Sequence, residues 1–328
     1  MRSSKQASCR RFPLIQADGQ TATDTNDKIN LFKQAFFPEP PPPNLRDLEG
    51  YIYPPSIEVP DINIREIEEA IRRAPPRKAP GTDGIPNHIL QRAAPIIAPH
   101  LTRLLRASLA LGYYPRHCKD TNTIVLRKPG KDDYTQPKAY RPIALLNTLG
   151  KIMESVIAKR ISYLVETYKL LPQTHMGGRR MTSVETAVQL LVEKTHAAWK
   201  KQGSWVVSIL SLDVEGAFDN VSHARLVHNL KKRRIPAIIV YWIESFLANR
   251  ATYITLEKKR SDPFYRPTGI PQGSSLSPIL YLFYNADLLD LCDDQEFRTS
   301  GSGYIDDIDI LTFSTSTEEN CESLIKIH

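Results

Sequence analysis

The sequence predicts an α+β fold built on an antiparallel sheet, in a chain long enough for two domains or one multi-lobed domain. Helical and strand patterns alternate along the 328 residues without the regular strand–helix–strand repeats of a parallel sheet. Two strand patterns around residues 303–313 adjoin closely enough to pair as a hairpin. Hydrophobic residues make up 41% of the chain, which is enough for a buried core. The sequence has no internal repeat of the kind that is typical of solenoid proteins.

The first 60 residues have the composition of a linker. They are rich in proline and polar residues, with four prolines at 40–43, and show little periodicity beyond residues 29–37. Order is predicted to begin at Asn63, because Asn63 with Glu66 three residues later is the signature of a helical capping box. We therefore expect a linker-like segment over 1–60 and a folded domain over 61–328.

Two helices and one strand are predicted next. Apolar residues at helical spacing begin at Ile64 and stop before a proline pair, which cannot continue a helix. A basic, turn-rich loop over 77–86 leads to a second apolar helical pattern over 96–111, which stops at Gly112. The β-branched run over 121–126 predicts a strand.

Apolar spacing and β-branched runs also define the remaining elements. In chain order these are a helix over 145–165, a buried strand over 204–212, helices near 222–232 and 236–248, a strand over 251–257, a loop over 267–275, a helix over 278–291 and the hairpin. Ser316 with Glu319 marks the start of one more helix.

Charge and cysteine usage narrow the functional class. The chain has a net charge of +7, and its basic residues cluster in short runs, which favours a polyanionic partner although solvated helix faces also produce such runs. Its four cysteines, Cys9, Cys118, Cys292 and Cys321, form no C-x-x-C pair, so free thiols are expected. No apolar run is long enough to span a bilayer and no signal-peptide core follows the basic start, so we expect a soluble, intracellular protein.

Two groups of acidic residues carry the candidate chemistry. Asp213 follows the apolar strand over 204–212, and Asp306 and Asp307 lie between apolar strand residues. Neighbouring residues on a flat strand point to opposite faces, so two adjacent acids are best explained at the tip of a tight hairpin. Placed side by side, the two segments would supply the oxygen ligands that Mg²⁺ prefers. An Asp-Asp pair in a turn is also ordinary, so the order of the surrounding motifs decides the interpretation.

That order resembles reverse transcriptases. Asp213 is followed by Phe218 and Asp219, then by Pro-Gln-Gly-Ser at 271–274 and Tyr-Ile-Asp-Asp at 304–307. Upstream, residues 79–86, 126–131 and 140–147 resemble the fingers motifs of the non-LTR, or LINE-like, retrotransposon branch. From about residue 62 to the C-terminus the chain is similar to a non-LTR reverse transcriptase domain.

The resemblance implies a right-hand polymerase fold, with residues 61–328 forming the fingers and part of the palm, an antiparallel palm sheet and the thumb missing. It implies an RNA-directed DNA polymerase that uses two-metal nucleotidyl transfer, as a fragment of a retrotransposon protein. The implied partners are an RNA template, a DNA primer and dNTPs, with two Mg²⁺ ions as cofactors and Mn²⁺ as an alternative. The implied location is the nucleus or a cytoplasmic ribonucleoprotein. A catalytically silent nucleic-acid-binding remnant and a maturase-like RNA-binding protein remain as alternatives.

The resemblance also assigns roles to the acidic residues and the fingers. Asp213, Asp306 and Asp307 would be the catalytic, metal-binding carboxylates, and the backbone carbonyl of Val214 would add a ligand. Lys128 and Arg141 match the positions that grip the incoming triphosphate, with Arg127 as an equally plausible neighbour.

Further positions follow from the same resemblance. Gln272 and Gly273 would lie against the nucleotide sugar and the templating base. Phe218 would stack under the deoxyribose and exclude a 2′-hydroxyl, the alternative being a plain core residue. Residues 177–180 resemble the template-contacting segment, with glycine in place of its aromatic residue. His175, His196 and His223 lack metal-ligand spacing and are expected to be surface or structural residues.

Overall fold

The computed structural model describes residues 13, 15–17, 20–40, 42–179, 182–201, 205–214, 216–293 and 298–327. In these ranges the α-helices are α1 Thr25–Phe36, α2 Ile64–Arg73, α3 Asn87–Ala110, α4 Thr148–Tyr168, α5 Val184–Lys201, α6 His223–Lys232, α7 Ala237–Leu247, α8 Ser277–Cys292 and α9 Thr317–Ile327. The strands are β1 Ile15–Ala17, β2 Gln20–Ala22, β3 Thr121–Arg127, β4 Tyr140–Leu145, β5 His175–Met176, β6 Val206–Leu212, β7 Ala251–Leu256, β8 Lys259–Arg260, β9 Phe264–Tyr265, β10 Thr299–Tyr304 and β11 Asp307–Ser314. Single 3-10 turns cover Arg46–Leu48, Arg116–Cys118 and Pro137–Ala139. This mixture confirms the predicted α+β class.

The described residues form three sheets, a two-stranded pair of β1 and β2 and two larger sheets. The palm sheet has the strand order β5-β10-β11-β6, and the fingers sheet has the order β4-β3-β7-β8, with β9 also paired to β7. In the palm sheet, β10, β11 and β6 are antiparallel neighbours, whereas the short β5 runs parallel to β10. The antiparallel palm sheet predicted from the sequence is therefore present in its three long strands.

One strand differs from its prediction. The run over 204–212 was expected to be a buried strand, yet in β6 the side chains of Ile209 and Leu212 are 52% and 38% exposed. Within the described residues β6 pairs only with β11, so it forms an edge of the palm sheet. Apolar composition indicates a strand but does not determine which of its faces another element covers.

The N-terminal segment also differs from its prediction. Helix α1 buries Ile29, Phe32 and Phe36 against a cluster that includes Val125 and Ile254 of the fingers sheet. The described residues between Ile15 and Phe36 are therefore packed rather than linker-like. The prolines and polar residues of the segment obscure a short apolar stripe, and its partners lie about a hundred residues or more along the chain.

Residues 42–60 extend this packing across the palm. Arg225 of α6 forms a two-point ion pair with Asp47, at 2.5 and 2.6 Å. The hydroxyl of Tyr53 lies 3.0 Å from Nδ1 of His228, also on α6. The proline-rich stretch thus follows the surface of the domain, and a domain boundary near residue 61 stays a prediction.

Helix α2 begins and ends where the local sequence predicts, whereas α3 begins earlier than its local pattern predicts. The capping box of Asn63 and Glu66 is present, and α2 ends at Arg73 as expected. Helix α3 was predicted to begin at residue 96 but begins at Asn87. Its first turns are anchored to the end of α2, where Asn87 Nδ2 and Gln91 Nε2 donate to backbone carbonyls, each at 2.8 Å.

Helix α8 covers one face of the palm sheet at close range. A Cβ atom on Gly301 would lie 2.8 Å from Cβ of Cys292, and one on Gly303 would lie 2.9 Å from Leu289. Glycine in β10 therefore sets the distance between this helix and the strand that leads to the acidic hairpin.

The described residues include three of the four cysteines and all of the helices named above. Cys118, Cys292 and Cys321 are free thiols, whereas Cys9 lies outside the described ranges. Among the helices of those ranges, none combines the length and apolarity needed to cross a bilayer.

Candidate active site

The two acids of the Tyr-Ile-Asp-Asp motif lie at the tip of the β10–β11 hairpin. Tyr304 pairs with Asp307, which leaves Ile305 and Asp306 as a two-residue turn. Ile305 has φ of 59°, a left-handed conformation that is unfavourable for a β-branched residue. Backbone strain of this kind costs about 1 to 3 kcal/mol and persists only where surrounding contacts hold it.

Those contacts come from the segment after β5. The backbone N–H of Ile305 donates to the carbonyl of Met176 at 3.1 Å. Its side chain packs so tightly on Gly177 that a Cβ atom there would lie 2.6 Å from Ile305 Cγ1. Gly177 itself has φ of 75°, so both its conformation and its neighbours require glycine.

Strand pairing brings the two acidic segments to one end of the palm sheet. Ile308 of β11 pairs with Leu212 of β6, so Asp307 lies beside Asp213, the first residue after β6. Partial burial and then the charges of Asp306, Asp213 and Asp309 raise the pKa of the Asp307 carboxyl. The carboxylates are therefore close enough to repel one another, a condition that a bound cation would relieve.

The donor set suits a hard divalent cation. Asp213 and Asp307 are exposed and Asp306 is partly exposed, so their oxygens can reach a ligand. In the described part of the chain, no three His, Cys, Asp or Glu side chains form a group that could hold a metal ion without further ligands. Mg²⁺ fits such an open arrangement, because it usually binds one or two carboxylates and completes its shell with water and substrate phosphates. Val214 follows Asp213 at the surface, and Glu215 lies outside the described residues.

Phe218 lies in the turn between β6 and α6. Its ring stacks on Tyr281 of α8, with centroids 5.1 Å apart and an interplanar angle of 16°. The residue is only partly buried. Its carbonyl accepts from the N–H of Ile270 at 2.8 Å, which ties this turn to the loop over 267–275. Phe218 thus packs against the core through Tyr281 and is partly exposed to solvent.

The loop that contains Gln272 and Gly273 joins the palm to the fingers. The carbonyl of Gln272 accepts from the N–H of Ala144 in β4 at 3.2 Å. Gly273 has φ of 112°, and a Cβ atom on it would lie 2.9 Å from the carbonyl oxygen of Ala144. The Gln272 side chain donates through Nε2 to Asp219 Oδ2 at 3.0 Å. The structure therefore groups Gln272 with the turn that carries Phe218.

The predicted triphosphate-binding residues lie on the fingers sheet. Arg141 is in β4 and Lys128 directly follows β3, the strand paired with it. Within the described ranges neither side chain forms a salt bridge, so both charges are available to an anion. Arg127 lies over the ring of Tyr134, 5.1 Å from its centroid, and also interacts with Tyr140. Its guanidinium is therefore already engaged, which favours Lys128 and Arg141 for this role.

Arg179, in the segment that resembles the template-contacting motif, is engaged internally. Its guanidinium makes two hydrogen bonds to Glu166, at 2.9 and 3.0 Å. It also donates to the carbonyls of Pro172 and His175. Gly178 stands at the position of the family's aromatic residue, and a Cβ atom on it would lie 3.3 Å from Cβ of Pro278. Arg180 lies outside the described residues.

The three histidines have the structural or surface positions that were expected. His175 is fully buried beside Gly303, and His196 is exposed on α5. His223 lies 2.8 Å through Nε2 from the carbonyl of Gly269.

Two acids near the site, the partly buried Asp219 and the fully buried Glu154, were not assigned a role from the sequence. Asp219, noted only as a motif member, forms an ion pair with Arg266 at 3.0 Å. Glu154 is fully buried on α4 and accepts from Tyr114 Oη at 2.7 Å and from Ser274 Oγ at 2.5 Å. Glu154 could have been noticed from the sequence, because it is a charged residue within the apolar pattern of a helix. No local pattern predicts that Arg266 pairs with Asp219.

Comparisons with known proteins agree with this geometry. The family model described as "Reverse transcriptase (RNA-dependent DNA polymerase)" matches residues 126–327. The chain is 32% identical over 234 residues to a probable RNA-directed DNA polymerase from transposon BS of Drosophila melanogaster, covering 71% of this chain and 25% of the relative.

Two further relatives belong to other mobile elements. The RNA-directed DNA polymerase from mobile element jockey of Drosophila funebris is 29% identical over 266 residues, which are 80% of this chain and 29% of the relative. The probable enzyme from transposon X-element of Drosophila melanogaster is 31% identical over 223 residues, 68% of this chain and 24% of the relative. The chain thus spans between about a quarter and three tenths of these relatives' length. These matches confirm the resemblance drawn from the motifs: the chain belongs to the reverse transcriptase family, as a domain of the non-LTR retrotransposon type.

Proposed function

We propose that this chain is the RNA-directed DNA polymerase domain of a non-LTR retrotransposon protein and extends a DNA primer on an RNA template. One observation carries the proposal. The end of β6 and the tip of the β10–β11 hairpin bring Asp213, Asp306 and Asp307 together, close enough for their charges to raise the pKa of Asp307.

The carboxylates of Asp213, Asp306 and Asp307 would hold two Mg²⁺ ions, with the carbonyl of Val214 as a further ligand and Mn²⁺ as a substitute. Bound in this way, the metals supply activation of the primer 3′-hydroxyl and neutralisation of the leaving pyrophosphate. The hairpin positions its acids in advance, because the contacts of Ile305 with Met176 and Gly177 hold the turn.

Other residues would bind and select the nucleotide. Lys128 and Arg141 present their charges from adjacent strands, which suits a triphosphate. The ring of Phe218, backed by Tyr281, would lie under the sugar and reject a 2′-hydroxyl by its bulk. Gln272 and Gly273 would line the same pocket from the loop that joins palm and fingers. The RNA template would place the protein in a nuclear or cytoplasmic ribonucleoprotein.

Metal binding and primer extension test the proposal together. Mn²⁺ binding is measured by electron paramagnetic resonance on the purified chain and on Asp213→Asn and Asp306→Asn. Each variant is expected to weaken Mn²⁺ binding by at least about tenfold, because it removes a ligand from an already open site. Asp262→Asn is the control, since it makes the same charge change at an exposed position between β8 and β9.

Extension of a DNA primer on an RNA template is then measured with the same proteins. Because the chain spans only part of its relatives, it is assayed alone and fused to the segment that follows this region in a related element. Asp213→Asn and Asp306→Asn are expected to abolish extension, and Asp307→Asn to reduce it severely. Near wild-type extension by either of the first two would show that the site assignment is wrong. Tight RNA binding without extension by the unmutated fusion would support the catalytically silent alternative.

A further inference from the structure

We infer that Asp219 is a positioning residue that fixes the orientation of the Gln272 amide, so that Gln272 presents its oxygen and not its nitrogen to the nucleotide. The inference rests on the proposed polymerase function. It extends that function to Asp219, a partly buried acid, and to Arg266, which act on the nucleotide through Gln272.

The first step is the chemistry of the hydrogen bond. An ionised carboxylate can only accept hydrogen bonds, and an amide can donate only through its nitrogen. Asp219 Oδ2 lies 3.0 Å from the Gln272 side chain, so this contact requires Nε2 on the Asp219 side. Oε1 must then point the other way. Among the described residues Oε1 has no hydrogen-bond partner, and it is not among their buried unpaired polar atoms.

The second step is the anchoring of Asp219 itself. Its Oδ1 accepts from Arg266 Nη1 at 3.0 Å, and its carbonyl accepts from Arg266 Nη2 at 2.7 Å. Burial raises the pKa of Asp219, whereas the charge of Arg266 and the bonds from Arg266 and Gln272 oppose that rise and favour the carboxylate. The Arg266 guanidinium lies over the ring of Phe37, 4.4 Å from its centroid. Asp219 is therefore held at both its side chain and its backbone.

The third step is the location of the network. Asp219, Arg266 and Gln272 line one cavity of about 60 Å³ between the fingers sheet and the palm loop. The backbone of Asp219 directly follows Phe218, and a Cβ atom on Gly269 would lie 2.7 Å from the Asp219 carbonyl. These contacts hold the turn that carries Phe218 in a fixed position relative to the loop that carries Gln272. The side chains of Asp219 and Arg266 are mostly buried in this network, at 14% and 17% exposure, so they act on the nucleotide through Gln272.

A substitution that keeps size but removes the acceptor-only character tests this inference. Asp219→Asn can donate or accept, so the Gln272 amide is no longer restricted to one orientation. The dissociation constant of dCTP is measured on a complex with RNA template and a dideoxy-terminated primer, which cannot react. Asp219→Asn is expected to weaken dCTP binding by about tenfold. In reactions with an extendable primer, kcat is expected to change by less than about threefold.

A double-mutant cycle separates positioning from general structure. Gln272→Met has nearly the same shape but no amide, and in that background Asp219→Asn is expected to alter dCTP affinity by less than about twofold. An equal loss in both backgrounds would overturn the inference, because Asp219 would then act independently of Gln272.

A spectroscopic measurement decides the inference even if the polymerase proposal fails. The side-chain amide resonance of Gln272, assigned by its loss in Gln272→Met, is followed in the nucleotide-free chain. It is expected to shift in Asp219→Asn and in Arg266→Gln, and to stay unchanged in Asp262→Asn, a matched change in an exposed loop. An unshifted resonance in Asp219→Asn refutes the positioning role. Failure of the unmutated chain, fused as in the extension assay, to bind dCTP with template and primer would instead refute the proposed function.

Discussion

Acidification is expected to destabilise this domain through His175, which lies behind the acidic hairpin. His175 is in β5 and pairs with Gly303 of β10. Its side chain is fully buried, and among the described residues neither ring nitrogen has a hydrogen-bond partner of good geometry. Burial lowers the pKa of His175 to about 4, with only partial compensation by the backbone of Ile305.

The sign and size of the effect follow from linkage between protonation and folding. The ordinary pKa of histidine is 6.5, so in the unfolded chain His175 binds a proton at a higher pH than in the folded one. Its contribution to stability is therefore complete above pH 6.5 and is lost as the pH falls towards 4. At about 1.4 kcal/mol for each pH unit, the loss amounts to about 3 kcal/mol. That is a large part of the roughly 5 to 15 kcal/mol that stabilises a typical domain.

Urea denaturation followed by circular dichroism at pH 7, 6, 5 and 4 measures this loss. The difference in unfolding free energy between the wild type and His175→Leu removes the contributions of other groups, including Asp219 and Asp307, whose raised pKa values act in the opposite direction. This difference is expected to fall by about 3 kcal/mol between pH 7 and pH 4. His196→Gln, a substitution at an exposed position of α5, serves as the control and should leave the wild-type pH dependence intact.

Hydrogen exchange locates the effect. The amides of Gly303 and Ile305 donate to the carbonyls of Thr174 and Met176, so their protection reports on the contact between β5 and the hairpin. The protection factor of both amides, which is the intrinsic exchange rate divided by the observed rate, is expected to fall at low pH in the wild type and not in His175→Leu. If the two proteins lost stability in parallel as the pH fell, His175 would not be the group responsible, and the reasoning from its burial would be wrong.

Three further predictions concern selection, stability and RNA binding. Phe218→Val is expected to admit ribonucleotides, because it removes the aromatic ring that is proposed to exclude the 2′-hydroxyl. Incorporation of dCTP and rCTP is compared, and unchanged discrimination would indicate that Phe218 is only a core residue. Tyr114→Phe is expected to lower the unfolding free energy by about 1 to 3 kcal/mol, since the buried Glu154 side chain loses a hydrogen-bond donor. Urea denaturation tests it beside Tyr163→Phe, a change at an exposed position, and equal stabilities of the two variants would contradict the buried hydrogen bond. RNA affinity is expected to fall steeply with salt. Removing one cation of the basic loop over 77–86, by Lys78→Ala, is expected to lower the slope of log affinity against log salt by about 0.7. Fluorescence anisotropy measures this slope, and salt-independent binding would exclude a phosphate-based interface.

Local patterns in the sequence determined much of the framework and of the acidic site. The capping box of α2, the boundaries of α6 and α7 within a residue or two, and the hairpin with two adjacent acids at its tip all follow from spacing within a turn or between neighbouring strands. The order of the motifs was enough to identify the family. Signals of this kind are readable because the interacting residues are close in the chain.

Tertiary structure decided which surfaces are covered and which side chains remain available. Packing made α1 part of the fingers and left β6 as an exposed edge of the palm sheet. It also paired Arg179 with Glu166 and Gln272 with Asp219, which lies 53 residues away. No local pattern encodes such pairs, because a hydrogen bond between distant segments depends on how their strands and helices pack. The sequence therefore identified the acids that we propose as the catalytic residues, whereas only the folded chain shows which neighbours hold them in place.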